Sequence, residues 1–304
     1  MNELDPRERN ILLIGATGQV GWELRRTLAC LGRVTAASIC GSVGPRVDLT
    51  DAHDLRELIT RERPWMLVNA AAHTAVDKAE SEEELAQAIN GDALGVMGDA
   101  AKAVGAGVVH YSTDFVFSGS SERPYQESDA PNPLGVYGRT KLDGERQLLS
   151  SGAQALIFRT SWVYGARGQN FLLTMQSLMR DRDQLQVVDD QVGSPTWSRL
   201  LAEATAQVLA QLVAGRIGLS EVGGLYHLTC AGETSWYGFA QAICEAAGQP
   251  CRVEPIPSSE YPTPARRPAY SVLDNSRFRE TFGLAMPDWR HALDLCLGEQ
   301  QEYK

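Results

Sequence analysis

Apolar residues fall along the chain in two alternating rhythms. Short runs at Asn10–Ile14, Arg33–Ser38, Trp65–His73, Gly107–Asp114 and Ala155–Gly165 have the length and composition of buried strands. Between them apolar positions recur at helical spacing, at Trp22–Leu28, Ala52–Arg63 and Ser81–Val104. The last stretch opens on Ser81-Glu82-Glu83-Glu84, a capping-box pattern. Strands alternating with helices predict a parallel sheet covered on both faces. After Gly165 the rhythm loosens: helices are predicted near 170–182, 197–214, 235–247 and 288–297, and short strands at 185–188 and 225–229. Residues 255–268 are rich in proline. The expected class is α/β, a Rossmann-like doubly wound parallel sheet over residues 1–165 and a smaller mixed α/β substrate domain over 166–304, some of whose elements return to the first. A cleft between the two would hold a substrate.

Composition narrows the choice of function. The chain has 304 residues, ample for a sizeable core, and a net charge of −10. An acidic chain lacks the basic footprint of a nucleic-acid binder. No apolar run is long enough to span a membrane, and the polar N-terminus has no apolar segment of a secretory signal, reading instead as a disordered lead-in. Six scattered cysteines without a Cys-x-x-Cys pair read as reduced thiols of a cytoplasmic protein, with no zinc site.

The candidate chemistry lies at strand ends. Gly15-Ala16-Thr17-Gly18-Gln19-Val20-Gly21 stands between the first strand and the first helix. Glycines there let backbone approach a dinucleotide pyrophosphate seated on the helix N-terminus. The carboxylate that often holds the ribose 2′-hydroxyl at the end of the second strand is replaced by Ser38, with Arg33 and Arg46 not far away. This predicts that NADP(H) is accepted, with NAD(H) also possible. Asp48 reads as an adenine contact or as a turn or capping residue. His73 reads as a cofactor neighbour or as a structural histidine. Tyr137 and Lys141, four residues apart, share one face of a predicted helix. An ammonium beside a phenol lowers its pKa and suits it to proton transfer at a carbonyl or alcohol oxygen. The same spacing is common on surface helices.

Together the glycine turn, Ser112-Thr113-Asp114 and the Tyr137/Lys141 pair resemble the extended short-chain dehydrogenases/reductases. Gly18–Leu24, Asn69–Glu80, His110–Asp114, Arg159–Tyr164 and Tyr261–Pro268 further resemble the dTDP-4-dehydrorhamnose reductase family, from about Ile11 to Leu297. The resemblance implies reduction of the C4 ketone of a dTDP-4-keto-6-deoxy sugar, the last step of dTDP-L-rhamnose synthesis. It places Gly18, Gln19 and Val20 at the pyrophosphate and Asp48 and Leu49 at the adenine. Ala72, His73, Thr74 and Tyr111 come near the nicotinamide, with Thr113, Asp114 and Trp162 at the sugar. Thr113, Tyr137 and Lys141 carry the catalysis, with Lys141 also expected at the nicotinamide ribose. Arg266 and Arg267, in the proline-stiffened loop, read as diphosphate ligands or as solvated charges.

One departure bears on assembly. Some family members hold Mg²⁺ between subunits with three glutamates. Glu23 matches the first, whereas Arg199 and Arg290 align with the others. No Mg²⁺ is expected there, and a monomer or weak homodimer follows. A dehydratase of the same superfamily is disfavoured because Phe115 stands where its glutamate base would be. A non-catalytic NADP-binding regulatory subunit, and a reductase or epimerase of another nucleotide sugar, remain as competing readings.

Overall fold

The computed structural model describes residues 9–248 and 250–302; the charged lead-in over residues 1–8 lies outside them. The first part of the chain runs β1 (Asn10–Ile14), α1 (Gln19–Thr27), β2 (Arg33–Ala37), α2 (Ala52–Glu62) and β3 (Met66–Asn69). The helices α3 (Val76–Ala79), α4 (Glu83–Gln87) and α5 (Ala93–Val104) follow, then β4 (Gly107–Thr113), α6 (Val136–Ser150) and β5 (Ala155–Thr160). The second part comprises β6 (Val163–Tyr164), α7 (Phe171–Asp181), β7 (Gln184–Val188), β8 (Val192–Gly193), β9 (Thr196–Trp197) and α8 (Ser198–Val213). It ends with α9 (Leu219–Val222), β10 (Gly224–His227), β11 (Thr234–Ser235), α10 (Trp236–Ala247), β12 (Arg252–Ile256), α11 (Ser276–Phe282) and α12 (Trp289–Glu302).

Six strands form one sheet in the order β10-β5-β4-β3-β1-β2, and every pair in it is parallel. Both faces of the sheet are buried, which is why its strands read as unbroken apolar runs. Ile11 and Leu13 point to one face, where Leu24 of α1, Leu201 and Val208 of α8, and Phe278 of α11 pack. Leu12 and Ile14 point to the other, against Leu55 and Ile59 of α2, Leu94 and Met97 of α5, and Leu148 of α6. The order reverses direction between β1 and β3, and ligands of such sheets lie at the carboxyl ends of the strands beside that point. A separate core joins α7, β7, α10 and α12 through Leu172, Met175, Leu185, Phe239, Ile243 and Leu293.

Several elements differ from the sequence expectation. The predicted long helix from Ser81 to Val104 starts at Glu83 and contains a π-helical turn, Ala88–Asp92, between α4 and α5. Ser81 does not cap it: its hydroxyl donates to the Lys78 carbonyl at 3.0 Å, closing α3 instead. The run predicted as one strand from Ala155 to Gly165 breaks at Ser161 and Trp162, where Trp162 takes the left-handed φ of 46°. Strand β12 falls partly in the proline-rich stretch. Pro255 hides it, but it pairs in parallel with β7, as the edge of a two-stranded sheet permits.

Helix α6 is joined to β5 by a buried ion pair. Arg159 donates from Nε and Nη2 to the two oxygens of Glu145 at 2.8 and 2.7 Å, and both side chains are 3% exposed. Removing one partner strands a buried charge, whereas removing both does not. Arg159→Met is expected to cost about 3–5 kcal/mol in urea unfolding, and the double variant Arg159→Met/Glu145→Leu to recover most of it. Equal losses in the two variants would show that the charge is not the cause.

Candidate active site

The glycine turn forms at the carboxyl end of β1. Gly15 has φ 80°, and a Cβ there would lie 2.5 Å from the Ala71 amide nitrogen; one on Gly21 would lie 2.1 Å from the Gly15 carbonyl oxygen. The turn therefore accepts no side chain at either position, and α1 starts against the strand ends. No side chain caps α1 at Gly18, so its first amides are available to an anion. Gln19 accepts from Asn170 Nδ2 at 3.0 Å, which ties the turn to the segment before α7. Val20 packs against the core behind it. These residues fit a dinucleotide pyrophosphate.

At the end of β2, Ser38 is buried and forms a bridge with Arg46, which also donates to the Ile39 carbonyl at 3.2 Å. Arg33 lies at the opposite end of the strand, so of the two arginines only Arg46 flanks this position. The loop between Ser38 and Arg46 carries no carboxylate. Asp48 makes a local turn: its Oδ1 accepts from the Thr50 amide at 3.0 Å and hydroxyl at 2.8 Å, which holds its pKa below the usual carboxylate value. Asp51, not Asp48, caps α2, and Leu49 is part of the core.

Ala72, His73 and Thr74 follow β3 without regular structure, with Thr74 exposed. His73 is clamped. Its amide donates to Asn90 Oδ1 at 2.9 Å, Asn90 Nδ2 returns a bond to the His73 carbonyl at 3.1 Å, and Nε2 meets Glu82 at 2.8 Å. Asn90 also donates to Thr140 of α6 at 3.2 Å. It sits in the π-helical turn, and sequence reading missed it because helical periodicity gives no sign of such a turn.

Thr113 ends β4, Asp114 opens the 3₁₀ turn after it, and Tyr137 and Lys141 occupy the first two turns of α6. The Thr113 hydroxyl donates to Asp114 Oδ1 at 3.0 Å. Burial pushes the Asp114 carboxyl up to about 6, against hydrogen bonds from Ser271 and Thr113. Burial likewise pushes Tyr137 up to about 12, opposed by its hydrogen bond with Thr113. Phe115 packs edge-on to the Tyr137 ring, with centroids 5.6 Å apart. Lys141 is buried, with Nζ 2.6 Å from the Tyr111 carbonyl and 3.1 Å from His110 Nε2. The expectation that Lys141 depresses the Tyr137 pKa is corrected here: the phenol stays high, and the lysine is engaged with β4. The Tyr111 ring turns to the other face of the sheet, its hydroxyl 2.7 Å from that of Thr205 in α8.

Trp162 lies flat against Trp236, with centroids 3.5 Å apart and planes 5° from parallel. Arg267 bonds Asp77 of α3 at 2.8 Å and also Thr263, fastening the proline-rich loop to the first part of the chain. Arg266 is exposed and has no ion pair among the described residues.

The residues aligned with a metal site do not fit one. Arg199 of α8 donates to Glu23 at 3.4 Å and to Glu299 of α12, so a guanidinium stands between the two carboxylates. Arg290 is elsewhere, paired with Glu245 of α10 at 2.8 Å; the third member of the cluster is Glu299, not Arg290. Among the described residues no group of three or more His, Cys, Asp or Glu is placed to hold a metal.

Residues 9–302 match the family described as the RmlD substrate binding domain. The chain is 46% identical over 295 residues to a dTDP-4-dehydrorhamnose reductase of Burkholderia thailandensis, covering 94% of this chain and 97% of that one. It is 46% identical over 303 residues to the Escherichia coli enzyme of that name, covering 95% and 97%. Among solved structures, the Bacillus anthracis dTDP-4-dehydrorhamnose reductase in complex with NADP superposes with a TM-score of 0.87 at 32% identity, covering 96% of this chain and 99% of that one.

The Asp114 carboxyl gives a signed expectation. Its pKa of about 6 in the folded protein lies above the ordinary 3.8, so the folded state holds the proton longer than the unfolded one. Stability from this group is complete below pH 3.8 and is lost as pH rises through about 6. Asp114→Asn, a mimic of the protonated acid, is expected to be more stable than wild type by on the order of 2–3 kcal/mol at pH 8, and nearly equal at pH 4. Urea unfolding at the two pH values checks this; a constant difference would contradict it.

Proposed function

The chain belongs to the family of the RmlD substrate binding domain, and we propose that it reduces the C4 ketone of dTDP-4-dehydro-L-rhamnose with NAD(P)H to give dTDP-L-rhamnose. The observation that carries this reading is the meeting of Thr113, Tyr137 and Lys141 where the end of β4 faces the first turns of α6. A bound reduced nicotinamide supplies the hydride. The chain's own work is orientation and charge stabilisation. The Thr113 hydroxyl holds the C4 oxygen, where negative charge develops, and Tyr137 gives that oxygen its proton. A phenol with a pKa raised by burial retains its proton until the alkoxide forms, which suits an acid in the direction of reduction.

The same reading assigns the remaining residues. Gly15, Gly18, Gln19, Val20, Gly21, Asp48, Leu49, Ala72, His73, Thr74 and Tyr111 hold the cofactor with Tyr137 and Lys141. Asp114 and Trp162 hold the sugar, and Arg266 is the exposed cation free to meet the diphosphate. Arg267 reaches the diphosphate only by releasing Asp77. Residues 1–165 serve mainly the cofactor and 166–304 mainly the substrate. No described helix is long and apolar enough to cross a membrane. Cytoplasmic placement suits cysteines that form no disulfide among the described residues.

Three measurements test the proposal. NADPH oxidation is expected with the dTDP-4-dehydro-6-deoxy-L-sugar made in place by an upstream dehydratase and epimerase. Tyr137→Phe is expected to lose turnover by about 10²-fold or more while NADPH binding holds. NADPH binding without turnover in the wild-type protein would favour the regulatory subunit or another nucleotide sugar. Ser38→Asp is expected to weaken NADPH about tenfold or more relative to NADH, by repulsion of the 2′-phosphate, in paired fluorescence titrations. With Arg199 between Glu23 and Glu299, the sedimentation coefficient is expected to be the same in Mg²⁺ and in EDTA; a metal-dependent dimer would refute that assembly.

A further inference from the structure

The indole of Trp162 is held on both faces. Trp162 stands two places beyond Thr160, which pairs with Thr113 across β5 and β4, so it lies at the sheet end that carries Thr113 and Asp114. Trp236, the first residue of α10, covers one face, with centroids 3.5 Å apart and planes 5° from parallel. A Cβ on Gly193 would stand 2.5 Å from Trp162 Cε2 and 2.8 Å from both Nε1 and Cζ2, the two atoms that flank it. That point is above the ring plane, so the Gly193 backbone lies on the face opposite Trp236. The two jaws belong to one unit, because β8 pairs with β11, Gly193 opposite Thr234 and Val192 opposite Ser235. Ser235 then caps α10, accepting from the Gly238 amide at 3.0 Å, and Phe171 backs Trp236 with centroids 4.6 Å apart. The same strand reaches the site: the Ser271 amide donates to the Val192 carbonyl at 2.8 Å, and the Ser271 side chain bonds Asp114.

Face-on contact with a ligand is therefore closed to Trp162. What it retains is an edge, and the polar atom on that edge is Nε1–H, which donates and cannot accept. Among the described residues nothing accepts from this N–H, and the atom is not shut off from solvent. We propose that Trp236 is a positioning residue which, with Gly193, turns Trp162 into an edge-on donor whose Nε1–H meets a hydroxyl oxygen of the sugar in the nucleotide-sugar substrate. The proposal rests on the reductase reading for the identity of that sugar. An open indole face would accept any apolar side of a pyranose. A clamped edge demands an oxygen at one place, so a sugar without it leaves the donor unpaired and binds less well. The clamp thus selects the sugar by its hydroxyl pattern, through a residue that need not touch the sugar itself.

Protein labelled with ¹⁵N at the tryptophan indoles tests this with dTDP-L-rhamnose as the titrant. Of the six tryptophans, the two signals are identified by their loss in Trp162→Phe and Trp236→Phe. The Trp162 Nε1–H signal is expected to move downfield while that of Trp236 stays in place. Movement of both would show the sugar parting the rings and would overturn the proposal, as would a Trp162 signal that stays while other residues respond. Trp162→Phe keeps a ring in the slot without the N–H, and its KM for the sugar nucleotide is expected to rise about three- to tenfold. An unchanged KM would refute the donor. Trp236→Leu is expected to raise the same KM by a similar factor, with kcat and NADPH affinity changed by less than about twofold, and Trp236→Phe to restore it. A loss in kcat and NADPH affinity as large as that in KM would mark Trp236 as core packing alone. If Trp236→Leu does not fold, the wild-type titration and Trp162→Phe decide. If the wild-type protein neither turns over nor responds to dTDP-L-rhamnose, the reductase reading fails and the sugar assignment with it. The clamp is then decided in the free protein, where loss of the Trp236 ring is expected to shift the Trp162 indole signal.

Discussion

Helix α6 is held to the sheet by charge buried on one face. Tyr137, Lys141 and Glu145 follow one another at intervals of four, so they stack along the side that meets β4 and β5. Glu145 is matched by Arg159, and Lys141 by the Tyr111 carbonyl and His110. A buried charge without a partner costs several kcal/mol, so any rotation or slide of α6 is opposed at two successive turns. Tyr137, one turn earlier, inherits that fixed position. Because Asn90 bonds both His73 and Thr140, the segment after β3 is referred to the same helix.

The second part of the chain is woven into this frame. Strand β10 returns to the main sheet beside β5, and α8 packs on the same sheet face as α1. Polar ties cross between the parts at several points: Gln19 with Asn170, Asp77 with Arg267, and Glu127 with the His227 amide. Each lies on a loop or at an element end rather than in a core. The core on the α1 face of the sheet is thus shared by both parts, and these polar ties join them at its margins.

Much of this was legible in the sequence because the residues concerned act through backbone or short spacing. The strands buried on both faces, the glycine turn, and the Tyr137/Lys141 spacing leave marks that periodicity and motif recover. What was missed depends on tertiary partners. The direction in which Lys141 donates is set by His110 and the Tyr111 carbonyl, which are distant in the chain. Asn90 owes its place to a π-helical turn that looks helical in sequence. Arg290 and Glu299 lie on one helix, and only folding shows which of them joins Glu23 at Arg199. Strand β12 carries Pro255 yet pairs with β7, because a two-stranded sheet consists only of edges.

Trp162 is held in a left-handed backbone conformation, with Trp236 stacked on one side. On another, Gly193 has no room for a Cβ, which would lie 2.5 Å from the indole. The three positions come from separate elements but share one volume. Their substitutions are therefore ordered in any evolutionary path. Gly193 cannot acquire a side chain while Trp162 is present, whereas reduction of Trp162 to a small residue opens the space that a larger residue at 193 would fill. A side chain at 193 must therefore follow a change at Trp162, and once present it fills the space the indole would need to return.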